Sequence, residues 1–155
     1  SEGSALYAGY GLNNNQPNDI TLSKVVIRNE TKNYGAAFNV FQGIGDILIE
    51  DSLFENNTAD NGDGGALNFD SVHGDITITN SVFRGNAATA GNGGALAIPY
   101  LDIPDSLIIT GTTFDSNEAD GDGGVGEAVE RLLLRLGVAA ELDLDRVRLT
   151  APLHA

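Results

Sequence analysis

Short runs in which apolar and polar residues alternate recur along this chain at a nearly constant interval. The runs are Asp19-Ile-Thr-Leu-Ser-Lys-Val-Val-Ile27, Asp46-Ile-Leu-Ile-Glu-Asp-Ser-Leu-Phe54, Asp75-Ile-Thr-Ile-Thr-Asn-Ser-Val-Phe83 and Ser106-Leu-Ile-Ile-Thr-Gly-Thr-Thr-Phe114. Asn57, Asn86 and Asn117 each follow their Phe by three residues. A second signature recurs in phase: Gly3-Ser-Ala-Leu6, Gly35-Ala-Ala-Phe38, Gly64-Gly-Ala-Leu67, Gly93-Gly-Ala-Leu96 and a degenerate Gly123-Gly-Val-Gly126. Its first glycines lie 32, 29, 29 and 30 residues apart. Period-2 runs rich in β-branched and aromatic residues, broken by Gly, Asn and Asp, predict strands rather than helices. Each copy predicts three short strands.

Three strands and three turns in about 30 residues fit one rung of a right-handed parallel β-helix, in which each strand pairs with its counterpart one copy later. A propeller blade needs about 40 residues in four antiparallel strands, and the two-residue hairpin turns of a meander are missing. The chain is therefore read as an all-β solenoid of about four to five rungs. Its pleat predicts the core. Leu6, Phe38, Leu67, Leu96 and Ala8, Val40, Phe69, Ile98 point inward from the first strand. The second strand gives Ile20, Ile47, Ile76, Leu107 and Leu22, Ile49, Ile78, Ile109, and the third Ile27, Phe54, Phe83, Phe114. The signature glycines suit a corner with positive φ. Asn57, Asn86 and Asn117 are expected at a second corner, their amides bonding along the stack because each carries donors and acceptors.

The outward positions are where a functional site would lie. One column reads Arg28, Glu55, Arg84, Asp115, and another begins Lys24, Asp51. Alternating sign on adjacent rungs is a cross-strand ladder that fixes register and keeps the face soluble.

The chain divides at Gly124. Residues 1–124 form the repeat domain of four rungs. Residues 125–155 contain no Asn and carry four of the eight basic residues, all Arg. Val129, Leu132, Leu133 and Leu136 follow helical spacing, with Gly137 as a stop, which predicts a short amphipathic helix over 127–136 that covers the open end of the stack. Glu141 to Leu149 then aligns with the strand pattern, placing Leu142, Leu144 and Leu149 inward as a degenerate last rung. The competing reading is a tail not native to the repeat domain.

Charge narrows the partners. The 155 residues hold 8 Lys and Arg against 22 Asp and Glu, a formal charge of -14, which disfavours a nucleic-acid or anionic-membrane surface. No Cys is present, so disulfides and thiolate metal sites are excluded. No apolar run reaches membrane-helix length, and the lack of Met is expected of a segment whose export signal and anchor lie elsewhere. Asp60-Asn-Gly-Asp63-Gly-Gly65 and Asp120-Gly-Asp122-Gly-Gly124 could place oxygen ligands around calcium. The equivalent Ala90-Gly-Asn92-Gly-Gly94 has no carboxylate, and Asp and Gly are what any tight turn selects, so no metal or other cofactor is assigned. His73 and His154 lack partners at ligand or triad spacing. Asn29-Glu-Thr31 and Asn56-Asn-Thr58 match the N-glycosylation sequon. No catalytic, cofactor-binding or metal-ligating residue emerges.

Gly-Gly-Ala-Leu at 64–67 and 93–96, linked to Ser-x-Phe-x-x-Asn at Ser52 to Asn57 and Ser81 to Asn86 and to its variant Thr112 to Asn117, resembles the repeat of the polymorphic outer-membrane proteins and related bacterial β-helix repeat proteins. The resemblance covers residues 1–124, with Ile27 for Phe and Glu30 for Asn in the first copy. It implies a secreted or cell-surface segment, a passenger or stalk of autotransporter type, non-catalytic and often adhesive, with a host or matrix protein or a glycan as partner. An exposed first rung would also permit end-to-end self-association. The alternative is a polysaccharide lyase or glycoside hydrolase on the same architecture, since fold does not determine function. Such enzymes need clustered acids in a cleft, whereas these connectors are short, Trp is absent, and Tyr7, Tyr10, Tyr34 and Tyr100 are scattered. A flat Thr-rich crystal-binding face is interrupted at Leu48 and Ile108 between Thr21 and Thr77.

Overall fold

A computed structural model describes residues 5–9, 19–42, 45–98, 106–120, 138–140 and 147–150. The first turn of chain comprises β1 (Leu6–Gly9), β2 (Ile20–Ser23), β3 (Val26–Arg28) and β4 (Thr31–Lys32). The second comprises β5 (Phe38–Phe41), β6 (Ile47–Glu50), β7 (Leu53–Glu55) and β8 (Thr58–Ala59). The third comprises β9 (Leu67–Asp70), β10 (Asp75–Thr79), β11 (Val82–Arg84) and β12 (Ala87–Ala88), and the fourth β13 (Leu96–Ile98), β14 (Ser106–Thr110), β15 (Thr113–Asp115) and β16 (Glu118–Ala119). Two more strands follow, β17 (Val138–Ala140) and β18 (Val147–Thr150).

Every pairing is parallel and joins a strand to its counterpart one turn later. The protein is an all-β parallel solenoid. Among the described residues four sheets run along it: β1-β5-β9-β13-β17, β2-β6-β10-β14-β18, β3-β7-β11-β15 and β4-β8-β12-β16. The expected three strands per rung are thus corrected to four. The fourth strand is two residues long, too short to show an alternation, and it follows directly on the Asn position.

The predicted columns stand in register. Leu6, Phe38, Leu67 and Leu96 are aligned, as are Ile20, Ile47, Ile76 and Leu107. Ile27, Phe54, Phe83 and Phe114 are aligned too. Phe54, Phe83 and Phe114 stack with centroids 4.8 and 5.0 Å apart and planes within 7° and 9°. Strand spacing of about 4.8 Å imposes this face-to-face arrangement, which free rings would replace by an offset one. These side chains form one continuous buried core with Ile47, Ile49, Leu67, Phe69, Ile76, Ile78, Leu96 and Ile109, while Ala8, Ile20, Leu22, Val25 and Ile27 of the first turn are only partly buried.

Single residues in the left-handed conformation turn the corners. Lys24, Asp51 and Asn80 have φ of 57, 50 and 48°, and Gly111 has 61°, between the second and third sheets. Asn29, Asn56, Gly85 and Ser116 (59, 53, 63 and 54°) turn the chain between the third and fourth. Two expectations change here. Lys24 and Asp51 are corner residues rather than an outward strand column, and the corner is turned by the residue before Asn57, Asn86 and Asn117. The signature glycines behave as expected, with φ of 42, 73 and 69° at Gly35, Gly64 and Gly93. An alanine at Gly64 would be strained in that conformation and would bring its Cβ within 2.1 Å of the Leu67 carbonyl oxygen.

The helix expected over 127–136 lies outside the described residues. Val147 and Leu149 of β18 pair with Leu107 and Ile109. They therefore continue the second sheet, and the alignment that gave those columns to Leu142 and Leu144 is shifted. A five-position apolar alternation admits more than one register, and pairing with β14 selects this one.

Candidate functional site

The linked motif faces inward throughout, and its polar members bind their equivalents along the axis. Ser52, Ser81 and Thr112 are buried. Each hydroxyl accepts the backbone N–H of the preceding turn, from Val25 at 3.2 Å, Ser52 at 3.1 Å and Ser81 at 3.3 Å. Asn57 and Asn86 are fully buried. Asn57 donates through Nδ2 and through its backbone N–H to Asn86 Oδ1, both at 3.0 Å. Asn86 does the same to Asn117 Oδ1, at 2.9 and 3.0 Å. The other Nδ2 hydrogen of Asn57, Asn86 and Asn117 goes to the carbonyls of Ile27, Phe54 and Phe83 in the preceding turn, at 3.1, 3.0 and 3.0 Å. Only an uncharged side chain with two donors and an acceptor can do all of this. The ladder of amides expected from the sequence is present. It ends at Glu30, whose backbone N–H reaches Asn57 Oδ1 at 3.2 Å and whose carboxylate pairs with Lys32 at 3.6 Å.

The motif is thus consumed by architecture, and any function must use the outward faces and turns. Several of their carboxylates have structural partners. Asp19 and Asp46 each accept the backbone N–H of the next aspartate in their column, Asp46 and Asp75, at 3.0 and 2.9 Å. Asp63 accepts Asn92 N–H at 2.7 Å, which places this candidate calcium ligand in a hydrogen-bonded turn. Gly62 in that turn lies under the Tyr34 ring, where a Cβ would come within 2.0 Å of Cδ1. Among the described residues no group of three or more His, Cys, Asp and Glu could hold a metal. The turn beyond Asp120 and His154 fall outside the described residues, and His73 is exposed. Tyr7 and Tyr34 are exposed on different parts of the first turn, while Tyr10 and Tyr100 are outside the described residues.

The third sheet carries the most organised outward face. Arg28, Glu55, Arg84 and Asp115 stand in register. Nε of Arg84 donates to Glu55 Oε1 at 3.0 Å, and Nη2 donates to the same oxygen. Beside this ladder runs a column that sequence reading missed: Val26, Leu53, Val82 and Thr113. Val26 is 61% exposed, and the other three are partly exposed. The signal was the middle position of Ser-x-Phe, apolar in three copies of four, but the Phe beside it drew attention to the inward face. On the first sheet, Asn68 donates to Asn39 at 3.1 Å, and its Oδ1 is buried with no hydrogen-bond partner.

Residues 51–70 match the family model of the Chlamydia polymorphic membrane protein repeat. The matched stretch spans Ser52-x-Phe54-x-x-Asn57 and Gly64-Gly-Ala-Leu67, the residues that form the ladder, the ring stack and the glycine corner. With this match and the solenoid together, the chain is a parallel β-helix repeat protein resembling that family. No curated protein and no solved structure matches it. Among the described residues, no helix is long and apolar enough to cross a membrane.

Proposed function

We propose that the chain is a non-catalytic segment of an exported surface protein of autotransporter type, serving as a stalk whose outward side chains form an adhesin-like binding surface. The repeat family implies a surface-exposed β-helix segment at the outer membrane or cell surface. The observation that carries the reading is the direction in which the repeated chemistry points: Ser52, Ser81 and Thr112, Phe54, Phe83 and Phe114, and Asn57 and Asn86 face the interior, while of the outward carboxylates Asp19, Asp46 and Asp63 accept backbone N–H groups and Glu55 pairs with Arg84. A shaft of this kind displays side chains at fixed intervals of about 4.8 Å, suited to repeated weak contacts with a host or matrix protein or a glycan. No cofactor is part of the reading. Glycan and host-protein arrays run beside a polysaccharide depolymerisation assay test it. Saturable binding without product release is expected; product release that disappears on replacing one exposed Asp would overturn it in favour of a carbohydrate-active enzyme.

A further inference from the structure

The outward face of the third sheet has a symmetry that the other described faces lack. Read along the axis, its charged column runs Arg28, Glu55, Arg84, Asp115, and its apolar column runs Val26, Leu53, Val82, Thr113. Reversing the charged column exchanges every sign: Arg28 meets Asp115, Glu55 meets Arg84. Reversing the apolar column sets Leu53 against Val82 and Val26 against the Thr113 methyl. A two-fold axis parallel to the strands, midway between β7 and β11, performs this reversal and brings two copies face to face. Both columns then meet their own reverse, as an isologous interface requires.

Charge distribution selects the same face. The whole chain carries -14 and repels its copies, but this column sums to zero. Of the four basic residues before residue 125, Arg28 and Arg84 lie in it and Lys24 stands at the corner beside it. It is a part of an acidic body where charges of both signs alternate and cancel, and the Val26 side chain there is 61% exposed.

We propose that the third-sheet face is a self-complementary surface through which two copies associate side by side with their axes antiparallel. Four strands at about 4.8 Å make a stripe only about 14 Å long between its first and last strands. That is small against the roughly 800 Å² per partner of a stable complex, so the dimer is weak and forms when copies are concentrated, as on a crowded surface. The inference is independent of the binding role proposed above.

Sedimentation of the whole chain from about 10 µM to about 1 mM reads the association. A concentration-dependent dimer is expected, weakened about tenfold by Arg28→Glu, which sets like charges together at both ends. Adding Asp115→Arg restores dimerisation. That double variant places like charges next to each other within one chain, beside Glu55 and beside Arg84, so it is less stable in thermal melting while it associates again. The chain has no Cys, which permits directed cross-linking. Facing sheets lie about 10 Å apart, so a short bismaleimide joins Val26→Cys on one copy to Thr113→Cys on another and leaves two Val26→Cys copies, about 17 Å apart, unjoined. A monomer at all concentrations, like-with-like cross-links, no effect of Arg28→Glu, or no recovery in the double variant would each overturn the proposal. So would a glycan or protein ligand that shields Val26 and Val82 while the chain stays monomeric, which would give the stripe to that occupant.

Discussion

At the scale of the residue, the amide ladder decides much of the stability. Asn86 supplies the acceptor for two donors of Asn57 and the donor for the Phe54 carbonyl, all without water. Asn86→Ala leaves these groups unpaired and is expected to cost at least about 1–3 kcal/mol in urea unfolding. Glu30→Asn acts in the opposite direction. An amide there would donate to Asn57 Oδ1 as Asn57 does to Asn86, with an expected gain of about 0.5–1.5 kcal/mol in the same measurement. The corner glycines obey a steric rule. Gly93→Ala would enforce φ near 69° on a residue with a Cβ and bring that Cβ within 2.2 Å of the Leu96 carbonyl oxygen, so a loss larger than that for an exposed Thr89→Ala is expected in thermal melting.

At the scale of the element, the strands are short and each is secured by the turns on either side. Phe83 sits between two rings at 4.8 and 5.0 Å, and Phe83→Ala is expected to cost about 3–5 kcal/mol by denaturant titration, with Phe83→Leu costing less. The inward columns were legible in the sequence because burial imposes a period of two within a strand and about 29 residues between strands. What was not legible had weaker or misleading signals. Thr58–Ala59 and its equivalents carry only two residues each, so the fourth sheet emerges from pairing alone. Lys24 and Asp51 looked like a strand column because a left-handed corner residue need not be Gly, and Asn, Asp, Lys and Ser all occupy such corners here. The outward face of the third sheet was half read. Its alternating charges stand out in the sequence, whereas Val26, Leu53 and Val82 alternate with inward residues and carry no mark of their own exposure. The shifted last strand has the same origin, since sequence alternation gives the face of a strand but leaves its partner open.

At the scale of the whole molecule, the solenoid is a row of turns, each touching its neighbours, so stability is close to a sum over nearest-neighbour contacts. The first turn has its inward residues less covered than those of later turns, with Leu6 at 38% exposure and Ile20, Leu22 and Ile27 only partly buried. Hydrogen exchange is therefore expected to be slowest for the amides of Ser52, Asn57 and Ser81 inside the stack and faster for those of the first turn. The charge of -14 opposes compactness at low salt. Raising ionic strength from 0.01 M to 0.15 M shortens the Debye length from about 30 to about 8 Å, and the melting temperature should rise with it. Calcium added at constant ionic strength should leave that temperature unchanged, since Asp63 already accepts Asn92 N–H; a rise would assign a metal to the turn.

Because backbone hydrogen bonds between turns run along the shaft, a pull on the two ends loads them in series rather than in shear. Under tension such a body would unspool from an end, one coil after another. Each coil of about 29 residues would release roughly 100 Å of slack, so the shaft would answer tension as a yielding line rather than a rigid rod.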